Sequence, residues 1–96
     1  IISQYEEPPS INIETQFSED KNTVEIQSFI EDATNLKNIN YFINEKKFRL
    51  VSQKSKNIQE SFGVVLDPGR NKLSIVAIDA KNIKIFKNFF ITNHEE

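Results

Sequence analysis

Residues 62–79 read FGVVLDPGRNKLSIVAID, and this stretch decides the fold because two alternating segments flank a proline-glycine corner. The apolar residues at every second position are Phe62, Val64 and Leu66 before the corner and Leu73, Ile75 and Ala77 after it. A period of two is typical of a strand with one buried side. Pro68 fixes φ at the first corner position and Gly69 accepts a positive φ at the second, so the stretch predicts two strands joined by a turn.

The corner also predicts how the two strands are connected. Leu66 is expected to close one end of the core, and Ala77 is expected where two layers approach closely. Asn71 is expected to hydrogen-bond the local backbone across the corner, as Asn does in turns. We therefore expect the connection from Leu66 to Leu73 to cross between the two layers rather than to form a hairpin.

The same alternation continues along the rest of the chain. It predicts five further strands, one around Ile11 and Ile13 and the others near residues 24–31, 39–43, 46–51 and 86–92, with Phe48 pointing inward. Turns or loops are predicted at residues 20–22, 32–35, 44–45, 52–59 and 79–82. Short strands separated by turn signals roughly every 8 to 12 residues predict an all-β, immunoglobulin-like antiparallel sandwich of about seven strands.

Three segments carry a resemblance to known proteins. They are PPSINIE at 8–14, NINYFINEKKF at 38–48 and VVLDPGRNKLSIVAIDA at 64–80. Together they resemble bacterial immunoglobulin-like sandwich domains of envelope and secreted proteins. More narrowly, they resemble the C-terminal domain that follows the protease core in some carboxyl-terminal processing proteases of the S41 family. The resemblance implies a periplasmic or extracellular location, and it places the Ser/Lys machinery of that family outside this chain.

Length and composition predict one domain with short flanks. The chain has 96 residues, which argues for a single domain at 10–93, a proline-stiffened linker at 1–9 and a tail at 94–96. It begins with Ile1 rather than Met and is interpreted as a piece of a longer precursor. The net charge of −2 disfavours nucleic acid as a partner, and the apolar runs are too short for membrane insertion.

No motif in the sequence predicts a catalytic centre or a cofactor. The one histidine, His94, stands in the tail, where nothing would hold it beside a nucleophile. Glu31, Asp32 and Asp79 are expected at one end of the sandwich. The sequence leaves two interpretations open: the three carboxylates bind calcium there, or the two aspartates cap turns by accepting backbone N–H bonds.

One basic cluster surrounds the loop at 52–59. It contains Lys46, Lys47, Arg49, Lys54 and Lys56. An anionic ligand would suit such a cluster, but lysines also protect edge strands from edge-to-edge aggregation, and that interpretation is preferred here.

Four apolar residues fall on the solvent side of the predicted alternation: Phe42, Val76, Ile78 and Phe90. On one sheet they would form an exposed apolar patch, which usually marks an interface. The sequence therefore predicts a non-catalytic accessory domain that docks this face on a neighbouring domain, a homo-oligomer partner or a substrate protein. The alternatives are a carbohydrate- or cell-surface-binding module, a mechanical spacer, and scattered apolar residues of the ordinary kind.

Overall fold

A computed structural model describes residues 10–19 and 22–93. The predicted linker, the predicted tail with His94, and residues 20 and 21 of the first predicted turn lie outside the described residues. The described part forms six strands: β1 (Ser10–Phe17), β2 (Thr23–Ile43), β3 (Lys46–Val51), β4 (Ser55–Val65), β5 (Gly69–Asp79) and β6 (Lys84–Asn93).

Strand β2 organises the whole molecule because its two ends pair with different neighbours. Residues 23–31 pair antiparallel with β1 and β4. Residues beyond Leu36 pair antiparallel with β3 and β5, and β5 pairs with β6. We call β1-β2-β4 the first half of the sheet and β3-β2-β5-β6 the second half. The six strands therefore supply seven strand segments, because β2 contributes one to each half.

The two halves share one core, so the sheet curls almost back on itself. Ile26, Tyr41 and Ile75, which the alternation places inward, are each fully buried. Ile11, Ile58 and Val64 of the first half pack in the same cluster as Leu73, Ala77 and Ile91 of the second. The prediction of an all-β antiparallel fold is confirmed.

The corner at residues 66–71 confirms the roles predicted for its side chains. Asn71 is 1% exposed, and its amide oxygen accepts the N–H of Asp67 at 3.0 Å. Its amide nitrogen donates to the carbonyls of Asp67 at 2.8 Å and Gly69 at 3.1 Å. Gly69 has φ of +90°, which its missing Cβ allows. Since β4 pairs in the first half and β5 in the second, the connection crosses between the halves as expected.

Three local predictions are wrong. Residues 32–35 are not a loop, because β2 continues through them as one strand of 21 residues. Asp32 accepts the hydroxyl of Thr34 at 2.7 Å and its N–H at 3.3 Å, which satisfies polar groups where the pairing shifts between the two halves. Strand β4 begins at Ser55, inside the predicted loop, because Ile58 is buried opposite Ile30.

The third wrong prediction is the orientation of strand β3. Phe48 was expected to anchor the core, but it is 38% exposed and rests against the rings of Tyr41 and Phe62 at the edge of the core. The register of β3 shifts between its pairs with Tyr41 and Phe42, and this bulge reverses the alternation of β3. Leu50 consequently points outward and is 53% exposed.

Candidate functional site

The four predicted interface residues all lie on the outer side of the second half of the sheet. From Asn71 to Asp79 of β5 the odd-numbered residues are buried and the even-numbered residues are partly exposed, so Val76 and Ile78 face outward. Phe42 pairs with Ser74 of β5, and Phe90 pairs with Lys72. Paired residues of an antiparallel ladder share one face, so all four side chains emerge on the same side.

These four residues do not form one continuous patch. Val76 is paired with Asn40, which is two residues before Phe42 on β2, so Phe42 and Val76 are diagonal neighbours on the sheet. Phe90 is separated from that group by the Ser74–Asn88 pair, whose side chains are hydrogen-bonded at 2.7 Å. The Arg70 guanidinium lies 4.6 Å from the centroid of the Phe90 ring, so this ring is partly covered by a cation.

The alternation missed two of the most exposed apolar residues on this face. Phe86 is 61% exposed and pairs with Val76, and Leu50 pairs with Asn40 in the same row of the sheet. The signal for Phe86 was present, since it shares its parity with Phe90. Leu50 was hidden by the bulge in β3, because a period-two count from an inward Phe48 places Leu50 inward as well.

Every charged side chain that residues 10–19 and 22–93 place on this face is a cation. The outward-facing cations are Lys47, Arg70, Lys72 and Lys84, and no aspartate or glutamate lies among the described residues that point the same way. The only ion pair among residues 10–19 and 22–93 joins Arg49 to Glu60, on the other side of the sheet. We call this surface the basic face, and its members are Phe42, Lys47, Leu50, Arg70, Lys72, Val76, Ile78, Lys84, Phe86 and Phe90.

The outer side of the first half has the opposite charge. Glu14, Glu25 and Glu31 project from it, and no lysine or arginine lies among its described residues. Phe29 lies near its centre, in the row formed with Asn12 and Gln59. Around Phe29 is a shallow depression of about 550 Å³. We call this surface the acidic face, and its charged or aromatic members are Glu14, Glu25, Phe29 and Glu31.

A groove of about 600 Å³ separates β1 from β6. Ile13, Phe17, Phe89 and Ile91 line it together with threonines, and the described residues contribute no titratable side chain to the lining. The Lys87 ammonium donates to the carbonyl of Ile11 at 3.3 Å and bridges the two strands across this seam. Its described walls are therefore apolar, with the hydroxyls of Thr15 and Thr92 as their polar side-chain groups.

The opposite seam, between β3 and β4, holds a buried pair of hydroxyl groups. The Ser28 hydroxyl lies 2.7 Å from the Tyr41 hydroxyl, and both residues are fully buried. Burial raises the pKa of Tyr41 above its ordinary value of 10.0, while the hydrogen bond with Ser28 lowers it in part. Ser28 has a tyrosine as its partner rather than a base, so the pair has no arrangement for nucleophilic catalysis.

The carboxylates considered for calcium are occupied by turns. Asp79 accepts the N–H groups of Lys81 at 2.9 Å and Ile83 at 2.8 Å, which closes the predicted turn. Asp32 accepts from Thr34 within β2. No group of three or more His, Cys, Asp or Glu side chains able to hold a metal occurs in the described part of the chain. Glu31 belongs instead to the acidic face.

The basic cluster of the sequence is spread around the edge strand β3. Arg49 pairs with Glu60 across the seam, and its guanidinium lies 5.7 Å from the centroid of the Phe62 ring. Among the described strands, β3 pairs only with β2, which is the position that edge-protecting lysines occupy. Tyr41 is buried, so it offers no exposed ring for a sugar. In residues 10–19 and 22–93 we find no helix of the length and apolarity needed to cross a membrane.

Comparison with known proteins shows similarity in fold alone. No protein-family model matches the chain, and no curated protein is significantly similar to it in sequence. Crystal structures of wild-type OgpA from Akkermansia muciniphila in two crystal forms superpose with a TM-score of 0.64 at 15% identity. A catalytically inactive OgpA in complex with an O-glycopeptide substrate, glycodrosocin, gives 0.63 at 15% identity.

The superposition covers 92% of this chain but only 28% to 30% of the OgpA chain. This chain therefore spans less than a third of the protein it resembles. In OgpA the same arrangement of strands is one part of a larger molecule. The matches do not include a carboxyl-terminal processing protease, so the S41 resemblance stays a prediction.

Proposed function

We propose that this chain is a non-catalytic accessory domain of a larger bacterial envelope or secreted protein, and that it docks through the basic face. The single observation that carries the proposal is the basic face itself. Three of its apolar side chains, Leu50, Phe86 and Phe90, are each more than half exposed. Apolar side chains grouped on one sheet and bordered by charge are typical of an interaction site.

Two further observations support an accessory role. In the part of the chain that the structure describes, the groove between β1 and β6 has no titratable lining residue, and the buried Ser28–Tyr41 pair has no base as a partner. The fold is also shared with a part of OgpA that amounts to less than a third of that chain. An S41 protease as the parent protein is a narrower hypothesis, which the remainder of the parent sequence would test.

We also propose that the sheet is an immunoglobulin-like sandwich. The pairing supports this assignment, since a three-stranded half, β1-β2-β4, faces a four-stranded half, β3-β2-β5-β6, over one core. Sandwiches of this kind present two broad outer faces and two seams. Docking by a face rather than by loops then follows from where the exposed apolar residues lie.

Hydroxyl-radical footprinting tests the docking role. The chain alone and the longest polypeptide that its gene encodes are oxidised under the same conditions, and labelling is compared residue by residue. We expect oxidation of Phe86 and Leu50 to fall roughly threefold or more in the longer polypeptide, because docking excludes water. Phe48 is the matched control, since it is 38% exposed but lies off the basic face. Equal labelling of Phe86 in both samples would contradict the proposal.

A further inference from the structure

The two outer faces of this molecule are complementary in charge. Among the residues that the structure describes, the basic face carries Lys47, Arg70, Lys72 and Lys84 without a carboxylate, and the acidic face carries three glutamates without a cation. We propose that the partner of the basic face is a second copy of this chain, which presents its acidic face. This inference rests on the proposed function, because it requires the basic face to be a docking surface.

The spacing of charge and aromatic groups matches between the two faces. On the basic face, Phe86 follows Lys84 by two residues along β6. Phe90 follows Phe86 by four residues, and Lys72 of β5 is paired with Phe90. On the acidic face, Phe29 precedes Glu31 by two residues, and Glu25 lies four residues further back along β2. At a rise of about 3.3 Å per residue, each face has an aromatic ring about 7 Å from one charged residue and about 13 Å from the other, measured along the strand direction.

This match defines a register for the contact. With the strands of the two copies roughly aligned, Phe86 enters the depression around Phe29 while Lys84 meets Glu31 and Lys72 meets Glu25. The depression of about 550 Å³ is bordered by Glu14, Glu31, Asn57 and Gln59, which are polar groups suited to the rim of an interface. Phe86 is the most exposed aromatic residue of the basic face, so it is the residue best placed to enter.

The size of the acidic face sets the strength of the association. Three strands spaced about 4.8 Å apart and about eight residues long give roughly 370 Å² per copy, below the about 800 Å² of a stable complex. We therefore expect a reversible contact with a dissociation constant of about 100 µM or weaker. Its rim ion pairs are exposed to solvent, so salt should weaken it.

The geometry also predicts the kind of assembly. The two faces lie on opposite sides of one core, so a copy that docks by its basic face leaves its acidic face free. Such a heterologous contact does not close into a dimer and instead adds copies in a row. Sedimentation velocity at rising concentration should therefore show a steadily increasing average size at low salt and monomers at about 1 M salt.

Charge reversal tests the pairing of the faces. Lys72→Glu with Lys84→Glu places carboxylates opposite Glu25 and Glu31, and Glu25→Lys with Glu31→Lys places ammonium groups opposite Lys72 and Lys84. We expect either double variant alone to lose self-association by about tenfold or more. Mixed in equal amounts, the two variants should associate again in alternating order, because the intact faces meet as in the wild type and the two reversed faces are complementary to each other.

A control and two outcomes complete the experiment. Lys54→Glu with Lys56→Glu changes the net charge equally but lies off the basic face, so it should associate like the wild type. A mixture of the two reversed variants that stays monomeric would overturn the inference, as would a wild type that is monomeric at all concentrations and salts. Footprint protection of Phe86 in the longer polypeptide would then still support docking, so the two proposals fail separately.

Discussion

One buried amide, Asn71, holds together the corner where the chain leaves the first half of the sheet. It bonds the N–H and carbonyl of Asp67 and the carbonyl of Gly69, and its oxygen also accepts from Asn44 at 2.9 Å. We expect Asn71→Ala to lower the free energy of unfolding by about 2 to 3 kcal/mol, because backbone groups at a partly buried corner lose their partners. Urea denaturation followed by circular dichroism measures this loss.

The control for Asn71 is an exposed amide in the same half of the sheet. The side chain of Asn88 is exposed to solvent and hydrogen-bonds to Ser74. Asn88→Ala should therefore lower the free energy of unfolding by less than about 1 kcal/mol. Equal losses in the two variants would mean that water replaces the bonds of Asn71 without cost. Asn71 would then be favourable at this corner but not required for the stability of the fold.

The buried Tyr41 hydroxyl makes stability depend on pH in the alkaline range. Burial raises its pKa above 10.0 in the folded state, so from about pH 10 upward the unfolded chain releases this proton first. The unfolded state then binds fewer protons, and the free energy of unfolding falls as pH rises. This contribution is fully present below about pH 10 and is lost as pH rises through the folded-state pKa.

Comparison with Tyr41→Phe isolates that contribution. The variant loses the hydroxyl partner of Ser28, so it should be less stable by about 1 to 2 kcal/mol at neutral pH. Its free energy of unfolding should nevertheless fall less between about pH 9 and pH 11 than that of the wild type. The lysines titrate in both proteins and cancel in the difference. Parallel pH profiles would show that Tyr41 ionises equally in the folded and unfolded states.

At the level of the elements, the β2–β3 turn contains a strained residue. Asn44 and Glu45 both have positive φ, at 48° and 73°, as expected for the tight turns that suit a hairpin. Asn44 tolerates this conformation and uses its side chain, which accepts the N–H of Lys72 at 2.9 Å. Glu45 is exposed and has a Cβ that this conformation disfavours.

Glu45→Gly should therefore raise the free energy of unfolding by about 0.5 to 1 kcal/mol, since glycine removes the steric cost of positive φ. Glu45→Val is the opposing control and should lower it, because a branched Cβ worsens the clash. Thermal melts of the three proteins give the order directly. A glycine variant less stable than the wild type would mean that the unfolded-state entropy of glycine outweighs the relieved strain.

The elements also show where sequence patterns stop being informative. Residues 32–35 contain side chains that favour turns because they hydrogen-bond to nearby residues. Such local hydrogen bonds form equally well where a chain reverses and where, as in β2, it continues as a strand. The bulge in β3 inserts one residue and reverses the alternation, so Leu50 points outward although a period of two counted from Phe48 places it inward. Strand β5 has no such irregularity, and Val76 and Ile78 lie on the side predicted from their parity.

For the molecule as a whole, the candidate surface could be predicted only in part. Parity places Phe42, Val76, Ile78 and Phe90 on one side, but it does not show which strands are neighbours. The charge segregation between the basic and acidic faces depends on those neighbours, because β1 and β4 flank one end of β2 while β3 and β5 flank the other. Pairing over long sequence distances thus creates a property that no local window contains.

The continuity of β2 predicts that the two halves of the sheet unfold together. Its first part is a central strand between β1 and β4, and its second part lies between β3 and β5. Leu36, fully buried at the junction, belongs to the shared core. Losing either half would expose the core face of the other, so no half-folded state should be populated.

The chain lacks tryptophan, so single tryptophans report on each half separately. Phe29→Trp places a fluorophore on the first half and Phe86→Trp on the second, both on outer faces. In urea, we expect each fluorescence transition to coincide with the circular dichroism transition of the same variant, since one cooperative step releases both halves. Dilute protein and about 1 M salt exclude self-association as a cause. Separate midpoints for the two reporters would show instead that β2 can fray from one half while the other stays folded.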